Sequence, residues 1–546
     1  MISSYGFLAY AVLQIVTICV LFVALCDITR RAFGLDQLLS TCAAVVLLGL
    51  LGYLSFWLAY ANYRVFGVAK IAVLAGLLIR FALVVYQRRI NDYRWLVEPL
   101  LYASLFCIAV LALGGADGGT SMTSLTAGQR FTHTLPADNL ISWFVTVALR
   151  FGEAPTSRLG DWLLSDRPPL QAGLYLLLGL RSHLVAYQVV AAWLQASFLL
   201  GVWGITFGAM LPPGARRIVL LACCLLPTAI INTYYVWPKL LSAGYVLFVF
   251  ALLFCRKPDS DAERKAFGVL IGALAALAML SHGSSLFALI GFGIVALTFR
   301  AWPPLTTMIH GAATLLAIYM PWAVYQNFIE PPGNRLLKWH FAGVEAIDDR
   351  SFFQALRDSY GALSWSEYWR GKQENLQALR DAWPRGLLDP LLGPFTGDWS
   401  PAAVRKADFF ALLPSLHLFS IAVVTALALL VLVPCRQRVV GLKMLVAILG
   451  TLAAFVLLIF TPGQTINHQG TYAVQILATI LAFMILMLRV PWLALAFVAA
   501  QAVTVSVTYG FSLSHDPASW PLLVACGVAA LVLAGYSLAP QFLRTG

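Results

Sequence analysis

The sequence predicts an all-α polytopic membrane protein, and three observations carry that prediction. Of its 546 residues 60% are hydrophobic and only 11% charged, whereas a soluble domain carries roughly a quarter charged residues. Apolar stretches of about 18 to 25 residues recur from end to end, each long enough to cross a hydrocarbon core of roughly 30 Å as a helix. The alternation of apolar and polar residues that marks an outer-membrane barrel is absent. Only helices and closed barrels satisfy the backbone in lipid, so a helical bundle remains.

The first apolar segment, Phe7 to Leu25, lacks a basic leading region and an Ala-x-Ala exit, so it is read as the first helix rather than a signal peptide. Spans are expected at 6–28, 38–61, 66–87, 96–115, 187–211, 218–236, 239–255, 266–281, 284–299, 306–325, 410–434, 443–461, 471–488, 490–510 and 519–539. The chain then divides into four N-terminal spans (1–115), a first outer loop (116–186), central spans (187–325), a second outer loop (326–409) and C-terminal spans (410–546).

The net charge of +12 sits mostly in alternate short connections: Arg30 and Arg31, Arg88 to Arg94, Arg216 and Arg217, Arg256 to Lys265, Arg300, Arg436 to Lys443, Arg489 and Arg544. Membrane topology explains that distribution, and nucleic-acid binding is not expected. In a bacterial-type inner membrane the N-terminus is then periplasmic, the C-terminus cytoplasmic, and both long loops face the periplasm. The nine cysteines lie in or beside apolar segments with no metal-ligand spacing. Arg167 to Leu180 is expected to lie along the outer surface, because a further crossing there would throw the later basic clusters outside.

Loops this long without structure of their own are uncommon, so both are expected to fold into a functional layer. In the second, Ser351 with Gln354 and Ser364 with Glu367 have capping-box spacing, each opening a charged and aromatic helix. Trp365, Tyr368, Trp369 and Trp383 suit either a layer at the headgroup boundary or simple anchoring of the loop.

The most informative stretch runs Leu135-Pro-Ala-Asp138-Asn139, then Trp143 to Glu153, Gly160-Asp161-Trp162, and Asp166-Arg167-Pro168-Pro169-Leu170. It resembles the first outer loop of the GT-C superfamily, the multi-spanning glycosyltransferases that use polyprenyl-phosphate sugars. The nearest pattern is that of the protein O-mannosyltransferases and the aminoarabinose transferases of lipid A. This chain has Asp138-Asn139 where Asp-Glu is common, Arg167 where Lys is common, and four spans before the loop where those members have one. Leu280-Ser281-His282-Gly283 resembles a frequent Leu-Ser-Lys-Gly, and Asn467-His468 followed by Tyr472 resembles the start of a late helix. The resemblance implies inverting transfer of a sugar from a polyprenyl-phosphate donor to a glycan, lipid or protein acceptor among the membrane lipids of the periplasmic face.

An acceptor hydroxyl is a poor nucleophile near neutral pH, so a positioned carboxylate that takes its proton is useful. Asp138 is the candidate base, with Asp161 and Asp166 nearby as further catalytic candidates or as turn and cap residues. A prenyl phosphate leaves as an anion and needs cations rather than a proton donor. Arg167, Arg181, His183, Lys239, His282, Arg335, Lys338, His340 and His468 lie at expected outer ends of spans or in outer loops. With Tyr472 they form the candidate donor-binding set. Lys239, between two apolar spans, either meets an anionic lipid phosphate or snorkels to headgroups. The resemblance requires no cofactor, and Asp138, Asp161 and Asp166 could hold a divalent cation.

Phosphate-loop, His-Glu-x-x-His and Gly-x-Ser-x-Gly motifs do not occur. Two rivals remain. A ligase or polymerase taking a whole lipid-linked glycan would centre on Arg335 and His340, and a flippase would carry ionisable residues near the midplane.

Overall fold

The computed structural model describes residues 3–117, 137–153, 158–159, 162–380, 416–460, 472–511 and 519–542. Among them the chain is helical apart from one short antiparallel pair, Arg158–Leu159 with Trp162–Leu163. Ten helices are long and apolar enough to cross a membrane, and the pair Pro213–Cys224 and Pro227–Tyr235, bent by 61°, makes an eleventh if counted as one span. Four shorter apolar helices, Lys239–Cys255, Ser285–Thr298, Phe419–Leu432 and Ala473–Arg489, stand where the remaining expected spans were placed. By length and composition, then, ten or eleven helices among the described residues could each cross a membrane, and a helix occupies each of the fifteen expected positions.

Local sequence explains where the helices begin and end. Ser3 accepts the Gly6 N–H to open Ser4–Phe33, which closes on Arg30, Arg31 and left-handed Gly34. Asp36 caps Gln37–Ala61 in the same way. Pro227 at the head of its helix produces the bend after Cys224, since proline removes a donor and restricts the residue before it. Both expected capping boxes form: Ser351 exchanges bonds with Gln354, and Ser364 with Glu367.

The expectation for Arg167 to Leu180 is corrected. Every residue of the helix Leu170–Leu178 is buried, so it is enclosed by the bundle rather than laid on its surface. Nine residues rise about 13 Å, too short to cross, and a helix apolar all round seeks enclosure on every side. Its backbone meets the second span where Gly173 faces Gly52, and a Cβ on Gly173 would collide with the Gly52 carbonyl. Such close approach of small residues is how membrane helices gain packing energy. Gly173→Ala is expected to cost about 1–3 kcal/mol, read as a lower thermal midpoint of the purified protein in detergent.

Polar clusters gather at one end of the bundle. Buried Asp27 pairs with Arg80 and with Arg89 at 2.9 Å, Glu98 with Arg216 and Arg217, and Arg256 with Asp36 and Glu263. The 21-residue helix Asp261–Ser281 runs from the Arg256 cluster to His282, a rise of about 30 Å. The basic clusters and the candidate site therefore lie at opposite ends of the molecule.

Candidate functional site

The arm that carries Arg167 is built from short pieces. The strand Trp162–Leu163 leads into a 3-10 turn, Leu164–Asp166, where Asp166 accepts the Leu163 N–H at 3.0 Å. Pro168 and Pro169 then fix the entry to the buried helix. Along that helix Gln171 donates to the Tyr187 hydroxyl and the Val236 carbonyl, and receives a bond from Gln195. At its far end Gln14 bonds Leu178 and Leu180, and Lys70 donates to Gly179. The additional N-terminal spans thus hold the arm in place.

A second piece is the turn Tyr235-Val-Trp-Pro-Lys239. Val236 has φ +58°, a strained conformation for a β-branched residue and one that functional sites tolerate when neighbours enforce it. Asn232 donates to the Trp237 carbonyl, and Asn139 to that of Tyr235 at 3.0 Å. Asn139 sets the turn Ala137–Leu140 against the Lys239 segment. The side chain of Asp138 lies outside the described residues, as do Asp161 and His468 entirely.

These pieces bring the candidate cations together. Arg167, 5% exposed, stands 4.8 Å from the Trp162 ring centre and 5.5 Å from that of Trp237. Lys239, 1% exposed, places its Nζ 3.9 Å from Trp237 and 5.3 Å from Tyr472. Aromatic faces attract cations and keep water away from them. Arg335 bonds Asp166 at 2.8 Å, with both side chains buried. That ion pair joins the Arg167 arm to the helix Arg335–Ala342 across 169 residues.

A cavity of about 150 Å³ is lined on its polar side by Asp166, Arg167, His282, Ser284, Gln326 and His340. Its apolar side comes from Leu286 and Phe287 of one helix and Tyr319 and Trp322 of another. His282 Nδ1 accepts from the Ser284 N–H, which leaves the hydrogen on Nε2, a buried atom without a hydrogen-bond partner. His340 Nδ1 lies 2.6 Å from the Leu336 carbonyl, so in the neutral ring Nδ1 carries the hydrogen and Nε2 the lone pair. One histidine is therefore poised to donate and the other to accept.

Burial pulls the Arg167 guanidinium down to about 10, so it stays charged near neutral pH. Burial, with Arg167 and Lys239 close by, pulls His340 down to about 4. The unfolded chain then binds a proton at His340 that the fold refuses, so stability falls as pH drops from about 6.5 towards about 4. Thermal midpoints measured across that range should show the slope, and His340→Gln should flatten it.

Other candidates are placed elsewhere. Lys338 is fully buried and gives its ammonium to the carbonyls of Asp348 and Arg350, so it holds the loop after its helix. His183 caps the helix Leu184–Ala196, and Arg181 is exposed. Lys338→Met is expected to lower the thermal midpoint of the purified protein in detergent, because the Asp348 and Arg350 carbonyls lose their donor.

Three residues that line or flank the candidate site were not singled out at the sequence level. Trp162 entered the sequence reading only as part of a motif, and Trp237 only as a neighbour of Lys239 in the chain, not as walls for cations. Glu330 is buried beside Ser165 and Asp166, and burial raises its carboxyl. A charge at the end of an apolar span was the signal that could have pointed to it. No group of three or more His, Cys, Asp or Glu side chains suited to a metal occurs among the described residues.

No protein-family model matches the chain, and no curated protein matches it. Two solved structures are similar to it. One is the crystal structure of ArnT from Cupriavidus metallidurans bound to undecaprenyl phosphate, at 15% identity and a TM-score of 0.36, covering 81% of this chain and 88% of that one. The other is ArnT from the same organism in the apo state, at 15% identity and a TM-score of 0.32, covering 72% and 78%.

Proposed function

We propose that this chain is a membrane glycosyltransferase of GT-C type that moves a sugar from a polyprenyl-phosphate donor to an acceptor hydroxyl, with inversion, at the periplasmic face. The observation that carries the reading is the convergence of buried Arg167, Lys239 and the unpartnered His282 Nε2–H around one aromatic-walled site. Gathering buried positive charge is costly, and a lipid phosphate at the membrane edge is an anion that such a cluster would attract.

In this reading the donor phosphate lies against Arg167 and Lys239, and His282 donates to one of its oxygens. The prenyl chain leaves along the apolar side of the cavity between Leu286 and Trp322, gaining roughly 0.8 kcal/mol per buried CH₂. Asp138 takes the acceptor proton as the hydroxyl oxygen bonds the anomeric carbon. The bond from that carbon to the phosphate oxygen breaks, and its electron pair leaves with the phosphate, whose growing charge the cations stabilise. Asp166 orients rather than reacts, because Arg335 already holds it. The positive clusters at the opposite end support a cytoplasmic assignment there and a periplasmic one for the site.

The test is transfer in proteoliposomes supplied with labelled polyprenyl-phosphate sugar and a panel of glycan, lipid and protein acceptors. Arg167→Ala is expected to lower transfer about 10²- to 10³-fold and to weaken undecaprenyl phosphate binding. Movement of the labelled lipid across the bilayer with no glycosidic bond formed would replace this reading with that of a flippase.

A further inference from the structure

A second cleft lies in the outer layer, outside the cation site. It is about 310 Å³ and sits where the helices Phe352–Gly361 and Trp365–Arg380 meet Phe460, just beyond the span Cys435–Leu458. Tyr360 and Phe460 form one wall, edge to face at 5.0 Å. Tyr368 forms another, stiffened from behind by Trp365, which stacks on it at 5.6 Å and 11°. The floor is Lys372, 4% exposed, which donates to the Ile459 carbonyl at 2.8 Å and lies near both tyrosine rings. Glu367, Arg370 and Glu374 stand at the rim.

We propose that this cleft binds an uncharged saccharide, the glycan acceptor of the transfer reaction. The identity of the ligand as acceptor rests on the function proposed above; the binding itself does not.

The chemistry of the walls selects the ligand. Half-buried aromatic faces pack against the C–H faces of a pyranose, and rim carboxylates accept from its hydroxyls while arginine donates. Glu367 is held in register by its bonds to Ser364, so the rim is preorganised on that side. Two carboxylates face two cations, which leaves no net charge to favour a uronic acid or a phosphate. The cleft is also coupled to the first site, because the Phe460 N–H donates to the His340 carbonyl at 2.9 Å. Phe460, one wall of the cleft, is thereby tied to the helix Arg335–Ala342, whose His340 lines the first cavity.

Trp365 and Trp369, 73% and 44% exposed, are the residues suited to a lipid headgroup layer, and they separate the two roles experimentally. Saturation-transfer difference NMR on the full chain in nanodiscs, with methyl glucoside, mannoside, galactoside and N-acetylglucosaminide as probes and no donor lipid present, reads the cleft directly. At least one glycoside should give ring-proton signals that are lost in Tyr368→Ala, kept in Tyr368→Phe and Trp369→Ala, and unchanged by undecaprenyl phosphate. Glu374→Gln, at an exposed rim position, should weaken the same signal severalfold without disturbing the fold. Silence from every glycoside up to tens of millimolar, or equal signals in Tyr368→Ala and Glu374→Gln, would overturn the proposal. So would a Tyr368→Ala effect confined to lipid partition. A negative result here leaves the Arg167 experiment untouched, and loss of transfer in Arg167→Ala leaves glycoside binding intact.

Discussion

Asp166→Asn is expected to destabilise the protein by about 3–5 kcal/mol, because it leaves the Arg335 guanidinium buried without its counter-charge. The two side chains are 2% and 3% exposed and 2.8 Å apart, so water cannot take over the lost partner. Arg335→Met should cost a similar amount for the mirror reason. The double variant Asp166→Leu with Arg335→Met should recover most of the loss, since a buried pair exchanged for apolar groups is often near neutral. That pattern would be read as thermal midpoints in detergent. It would show that the pair's value lies in specificity, namely fixing where the Arg167 arm meets the second loop. Transfer should stay low in the double variant even where stability returns, because the arm would no longer be registered against the helix Arg335–Ala342. Additive losses in the double variant would mean that the two residues act separately.

How far the sequence foretold this arrangement depended on the range of the interactions involved. The capping boxes at Ser351 and Ser364 were readable because each is settled within four residues. The spans were readable because hydropathy over one helix length is a sum, insensitive to neighbours. The helix Leu170–Leu178 was placed on the surface because a short apolar run looks the same whether lipid or protein surrounds it. Its enclosure depends on Gly52, more than a hundred residues earlier. Lys338 and His340 were grouped for a similar reason. They are two positions apart on one helix and so face different directions, and only the packing of that helix turns His340 to the cavity and Lys338 to the Asp348 loop. The aromatic surroundings of Arg167 and Lys239 come from Trp162 and Trp237, which chain order separates by 75 residues. The motif around Asp138 drew attention to its loop, yet the partner of its turn, the Tyr235 carbonyl held by Asn139, was not visible in it.

Asp138→Asn is expected to lower sugar transfer about 10²- to 10⁴-fold, the usual contribution of a positioned general base, with little change in donor binding. The amide keeps the size of the carboxylate and loses its basicity, so the two readouts should part. Undecaprenyl phosphate should bind the variant as it binds wild type, since Arg167, Lys239 and His282 are unaltered. A strongly nucleophilic acceptor analogue, such as a thiol in place of the hydroxyl, should restore part of the rate because it needs less help in losing its proton. The pH profile adds an independent check: wild-type transfer should fall on the acid side as a carboxylate protonates, and that limb should vanish from the residual activity of the variant. Unaltered transfer by Asp138→Asn would remove the base from this loop altogether. The lone pair of His340 Nε2, in the same cavity wall as Arg167, would then be the group to test next, by His340→Gln under the same assay.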